Sequence, residues 1–143
     1  MLLRNRIAKS VAALVVIAAY FGLAEWSKRS YVDTRPDGKT VIRLLRPYER
    51  FADSTFGVIA REPLHGSLND LADSVDNNER SPVVIYEDGK PLGPAHCRHE
   101  DVGVFGYGCF SHWRGQGYVF SSSDNSDPNT NGRVYWVVIP HGK

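Results

Sequence analysis

The chain has 143 residues, with 17 Lys plus Arg against 16 Asp plus Glu, a net charge of +1. One domain fits that length. There is no basic field to attract nucleic acid and no block of five like charges, so nucleic-acid binding is excluded as a leading reading.

The N-terminus reads first. Arg4, Arg6 and Lys9 precede Val11 to Ala24, fourteen residues without a charge. A basic head followed by an apolar run is the pattern of a secretory signal or a signal-anchor helix, placed here over residues 1–30. At about 1.5 Å per residue the run spans only about 21 Å, against about 30 Å of hydrocarbon. Ile7, Ser10 and Trp26 extend it toward a span, whereas Gly22-Leu23-Ala24 offers small residues for cleavage before Glu25. Either way the expectation is export. The remainder is anchored to the cell membrane by a single pass, or secreted or periplasmic after cleavage near Ala24.

Residues 31–39 read as a polar linker with a Pro36-Asp37-Gly38 turn. Beyond it, 40–143 forms the expected extracytoplasmic domain. Thr40 to Arg46 is β-branched and apolar up to Pro47, and Thr55 to Ala60 is a second strand candidate. Leu68, Leu71, Ala72 and Val75 recur at helical spacing, with Ser67 to cap and Asp70 three residues on, which predicts a short helix over 67–75. Val83 to Tyr86, Asp88-Gly89 and Lys90 to Leu92 predict a hairpin. Cys109 to Trp113 and Tyr118 to Ser121 flank a turn at Arg114 to Gly117, and Val134 to Ile139, apolar on both faces, predicts a central strand. Short strands with glycine-rich turns indicate a mainly β fold, a small antiparallel β-sandwich or barrel-like domain.

From Ser81 onward three stretches occur in order. These are Tyr86 to His96 (YEDGKPLGPAH), Phe110 to Trp113 (FSHW) and Ser123 to Arg133 (SDNSDPNTNGR). Together they resemble a β-rich accessory module found beside glycosyltransferase and methyltransferase domains of bacterial surface-polysaccharide systems. The likeness covers about 55 residues. It implies a non-catalytic binding or accessory role, with envelope polysaccharide or its biosynthetic proteins as partners and no cofactor.

Three groups of candidate site residues follow. Cys97 and Cys109 fit a disulfide in an oxidising compartment, or two buried thiols. Joined by His96, His99 and His112, they also fit a zinc set, because five soft ligands fall within seventeen residues. The loop Ser121 to Arg133 places Asp127, Asn129 and Asn131 at alternating positions before Gly132, like the opening of a calcium loop. The position where a bidentate glutamate belongs is Val138, so a plain turn competes with calcium and with ligand contact by Asp124, Asn125, Asp127, Asn129, Asn131 and Arg133. Tyr107 and Trp113, beside glycines or turns, are the ring candidates for a glycan site. A hydrolase using Ser111, His112 and Asp124 lacks a nucleophile elbow, so the residues lean against an enzyme. A structural subunit of a membrane complex, contacting through the N-terminal helix, is the third reading.

Overall fold

The computed structural model describes residues 2–50, 53–61 and 68–142, with the beginning of the proposed cap for the 67–75 helix, Ser67, outside them. The chain divides into two compact units, Met1–Asp33 and Thr34–Lys143.

The first unit is one helix, α1 (Leu2–Ser30). Lys28 and Arg29 in its last turn complement the negative end of the helix dipole, and Ser30 Oγ donates to the Trp26 carbonyl at 2.6 Å. Leu14, Val15, Val16 and Ile17 are all exposed. Four consecutive positions cover every side of a 3.6-residue turn, so the helix is apolar all round in its middle, not on one stripe. The expected helix therefore forms, but among the described residues no helix is long and apolar enough to cross a membrane.

The second unit is built on two four-stranded antiparallel sheets. One has the order β1 (Thr40–Arg43), β8 (Tyr135–Ile139), β4 (Val84–Glu87), β5 (Lys90–Pro91). The other runs β2 (Glu49–Arg50), β3 (Val58–Ala60), β7 (Gly117–Phe120), β6 (Phe110–Trp113). β8 is central, with Val137 opposite Ile42 on one side and Ile85 on the other. Its alternation sends Tyr135 and Val137 into the core shared by both sheets, where they meet Phe120, Phe110 and Tyr118. Tyr135 and Phe120 are in ring contact at 4.9 Å between centroids. The opposite face of β8 is closed at Val138, which is fully buried. A Cβ added to Gly38 would lie 2.4 Å from Val138 Cγ1 and 2.9 Å from the Ile139 carbonyl oxygen. Gly38→Ala is therefore expected to cost about 1–3 kcal/mol through overpacking, read as a lowered urea midpoint with an unchanged slope.

The hairpin forms as its turn residues dictate. Asp88 and Gly89 both take positive φ, 48° and 80°, as a two-residue type I′ connection requires. Elsewhere the chain departs from the periodicity. Strand β1 ends at Arg43, and β3 begins only at Val58 because Ser54 and Gly57 close a turn first, the Ser54 hydroxyl bonding both ways with Gly57. The helix expected over 67–75 is only a 3₁₀ turn, Asn69–Leu71, and Ala72 is already extended (ψ 156°). Asp73 is captured instead by β6, pairing with Trp113 in a parallel bridge. A short helix not expected from the pattern, α2 (His99–Val104), buries Val102 against Cys109 and Val119.

Candidate functional site

The loop from Ser121 to Arg133 is built by hydrogen bonds to its own residues and to neighbouring strands. Asp127 accepts from the Asn129 backbone N–H through Oδ1 (2.9 Å) and pairs with Arg50 through Oδ2 (2.8 Å). The Asn129 side chain accepts from the Tyr48 N–H (2.8 Å) and donates to the Tyr48 carbonyl (3.1 Å). Asn131 accepts from the Arg133 N–H (3.1 Å) and donates to the Tyr135 hydroxyl (2.8 Å). The three oxygens offered to calcium as an alternative are thus each bonded to a backbone N–H, the Asx-turn arrangement that the plain-turn reading expects.

The same holds for the remaining loop residues. Asn125 supports Tyr107, accepting from its N–H at 2.6 Å, and donates to the Phe105 carbonyl at 2.9 Å. Arg133 bridges Asp124 and Glu87. Glu87 is a carboxylate on the core side of β4, 7% exposed, and it also accepts from the Tyr135 hydroxyl at 2.8 Å and from the Ser123 hydroxyl. The loop is accordingly a cap on the end of the sheets. Its polar groups serve the fold and leave little for a ligand.

The electrostatics of this cap set an acid and an alkaline limit. Arg133, helped by Ser126, holds Asp124 far below the usual carboxylate range, and the Asn129 N–H and Arg50 lower Asp127 as well. Burial pushes the Tyr135 phenol well above its ordinary value, and Tyr48 is raised for the same reason. A depressed carboxylate contributes stability that is present above its unfolded value, near 4, and is lost as pH falls below that. A raised phenol contributes stability that is present below about 10 and is lost as pH rises further. His99, lowered by burial, adds a loss of stability as pH falls below its unfolded value of about 6.5. The melting temperature should therefore be level only between about 6.5 and 10 and decline outside those limits, and Asp124→Asn should remove part of the decline below about 4 in a pH series of thermal melts.

The hydrolase group is not assembled. Ser111 and His112 are successive residues of β6 and so point to opposite faces. His112 is buried, stacked on Tyr118 at 4.7 Å, with Nδ1 2.9 Å from Ser81 Oγ. Asp124 is occupied by Arg133 at the loop cap. The disulfide expected of Cys97 and Cys109 forms, so the zinc alternative fails. Cys97 and Cys109 are joined in a disulfide (Cα–Cα 6.0 Å), which removes both thiolates. Among the described residues no group of three or more His, Cys, Asp or Glu is placed to hold a metal.

What the structure does bring together is a cavity of about 320 Å³ beside the disulfide. Its lining includes Asn78, His96, Arg98, His99, Trp113 and Gln116, with Cys97. Trp113 closes β6 and is partly exposed, and His99 meets its ring edge-on at 5.7 Å. Burial lowers the His99 pKa, so this imidazole is neutral at pH 7; its Nε2 is shielded from solvent and has no partner among the described residues. His96 takes a left-handed backbone (φ 57°), and its Nδ1 lies 2.9 Å from Asp73 Oδ2. Of the sequence candidates, His96, Cys97, His99 and Trp113 therefore meet, in a different chemical role from zinc binding. Tyr107 is 70% exposed and is absent from this lining. Asp73, Asn78, Arg98 and Gln116 were not legible as site residues. Asp73 in particular sat inside an apparent helix.

The chain matches no family model, no curated protein and no solved structure.

Proposed function

We propose that the chain is a non-catalytic binding module of the cell envelope, with a β-sandwich-like domain that takes a glycan residue in the cavity beside Trp113. The observation that carries this reading is the lining itself. A partly exposed indole stands among the carboxamides of Asn78 and Gln116 and the imidazoles of His96 and His99, in a space at the lower end of the about 300–1,000 Å³ typical of small-molecule sites. A sugar ring offers an apolar face for an indole and hydroxyls for Asn78, Gln116 and the histidines.

Two further features support an envelope setting. A disulfide in a small domain belongs to oxidising compartments. The N-terminal basic head and apolar helix fit an export signal or a membrane tether. The resemblance from Ser81 onward favours envelope polysaccharide, or the proteins that make it, as partner. A structural role within a membrane complex is the second reading, favoured by the all-round apolar middle of α1.

The test is a glycan array of bacterial envelope oligosaccharides probed with the full chain in detergent micelles. Binding is expected, with Trp113→Ala weakening it about tenfold while circular dichroism stays native, as loss of ring stacking would dictate. Silence across the array would end the saccharide reading and leave the structural one.

A further inference from the structure

We infer that the cavity beside Trp113 continues past Gln116 into a second subsite, so that the module takes a glycan chain rather than a single sugar; the inference rests on the saccharide reading above. A second cavity, of about 200 Å³, is lined by Arg61, Asn69, Gly115, Gln116 and Gly117. Gln116 is exposed and borders both spaces. It stands on the turn between β6 and β7, and that turn is clamped amide by amide. The Arg114 N–H donates to the Asp73 carbonyl at 2.9 Å, the Gly115 N–H to Asn69 Oδ1 at 2.7 Å, and the Gln116 N–H to the Trp113 carbonyl at 3.1 Å. Two of these acceptors belong to the segment that carries Asn69 and Asp73, which itself bridges to Trp113. The wall shared by the two cavities is therefore fixed, and their spacing with it. Two preformed sites at a fixed spacing suit a chain of repeating units, because little ordering of the protein remains on binding.

The two spaces offer different chemistry. The first presents the Trp113 indole to the apolar face of a sugar ring. The second has no aromatic side chain in its lining, and sugar hydroxyls there meet the carboxamides of Asn69 and Gln116 and the guanidinium of Arg61. Arg61 is held by Glu49, with Nε 3.0 Å from both carboxylate oxygens and Nη2 2.7 Å from Oε2. Its charge is thus compensated, while its Nη1 has no partner among the described residues and keeps its donors for a neutral hydroxyl. Gly115 leaves the passage open. It takes φ 75°, and a Cβ built on it would meet nothing within 4 Å. A unit stacked on Trp113 brings the next unit of the same chain to the second space as an intramolecular event, so affinity rises with chain length without any new partner.

The test is calorimetric titration of the full chain in micelles of a sugar-free detergent. Glucose, N-acetylglucosamine and mannose are each supplied as the monosaccharide and as the linear di-, tri- and tetrasaccharide. At least one series should bind, with affinity rising about tenfold or more between the monosaccharide and the trisaccharide. Asparagine tolerates the left-handed backbone, so Gly115→Asn sets a carboxamide beside the second space at little cost to the fold. It should bring the trisaccharide down to the affinity of the monosaccharide and leave the monosaccharide unchanged. Arg61→Ala breaks a surface ion pair that contributes little to stability, and it should weaken the trisaccharide severalfold while again sparing the monosaccharide. Trp113→Ala should weaken both alike. A merely structural effect of either second-subsite variant would move all lengths together. Affinity independent of length, or variants that weaken monosaccharide and trisaccharide by the same factor, would overturn this inference and leave the saccharide reading standing. Silence from every probe would overturn both. If Gly115→Asn does not fold, the length series and Arg61→Ala still decide.

Discussion

Glu87→Ala is expected to destabilise the domain by about 3–5 kcal/mol, at the level of removing one member of a buried ion pair. Glu87 is the one group that Arg133, the Tyr135 hydroxyl and the Ser123 hydroxyl all share. Without it, Tyr135, fully buried on the central strand, loses the acceptor for its O–H and keeps only the donor Asn131. Arg133 retains Asp124 and a side chain 28% exposed, so solvent recovers part of its loss and the lower end of the range is expected. Glu87→Gln keeps the shape and one acceptor, and should cost about 1–2 kcal/mol. Urea unfolding of the three proteins checks this. Equal midpoints would show that the carboxylate is dispensable and that the loop is held by its backbone turns alone.

The position of that carboxylate illustrates what was legible in advance. Asp88-Gly89 announces its turn locally because both residues tolerate positive φ, and the Val134–Ile139 run announces burial on both faces. Both signals need no distant partner. Glu87 looks like an ordinary charged residue ahead of the turn, and only pairing with β8, which sets it opposite Tyr135, turns it inward. The stretch around Asp73 failed for the complementary reason. Leu68, Leu71 and Ala72 do sit at helical spacing, and Leu68 and Ala72 are buried, but a strand forty residues later offers Asp73 better hydrogen bonds than a helix would. Tertiary contacts overrode a weak local preference. The site followed the same division. Its imidazoles and indole were visible as residue types between His96 and Trp113, yet the orienting carboxylate comes from 23 residues upstream of His96. The disulfide between Cys97 and Cys109 was legible from compartment and spacing, whereas the zinc alternative grouped the same stretch of residues wrongly.

Removing the disulfide is expected to lower the melting temperature by about 10 °C. Cys97 and Cys109 are 12 residues apart, and closing a loop of that size stabilises by about 3 kcal/mol on the chain-entropy account, which a domain of this size converts at roughly 4 °C per kcal/mol. The closed loop carries α2, whose buried Val102 packs on Cys109 and Val119 in a cluster separate from the main core. Six helical residues are too few to persist alone, so α2 depends on this closure more than the sheets do. The double variant Cys97→Ala/Cys109→Ala is preferable to serine because Cys109 is 7% exposed and a hydroxyl there would be buried. Reduction of the unmutated protein should reproduce most of the shift. Hydrogen exchange should show the loss of protection concentrated in residues 98–106, while β7 and β8 remain protected. His96 stays tied through Asp73, and the Cys97 N–H still donates to the Phe110 carbonyl at 3.0 Å, so ligand affinity should fall by less than stability does. A reduced protein that melts with the oxidised one would mean that the cavity wall is held by packing and hydrogen bonds alone. The cross-link would then have no part in shaping the site.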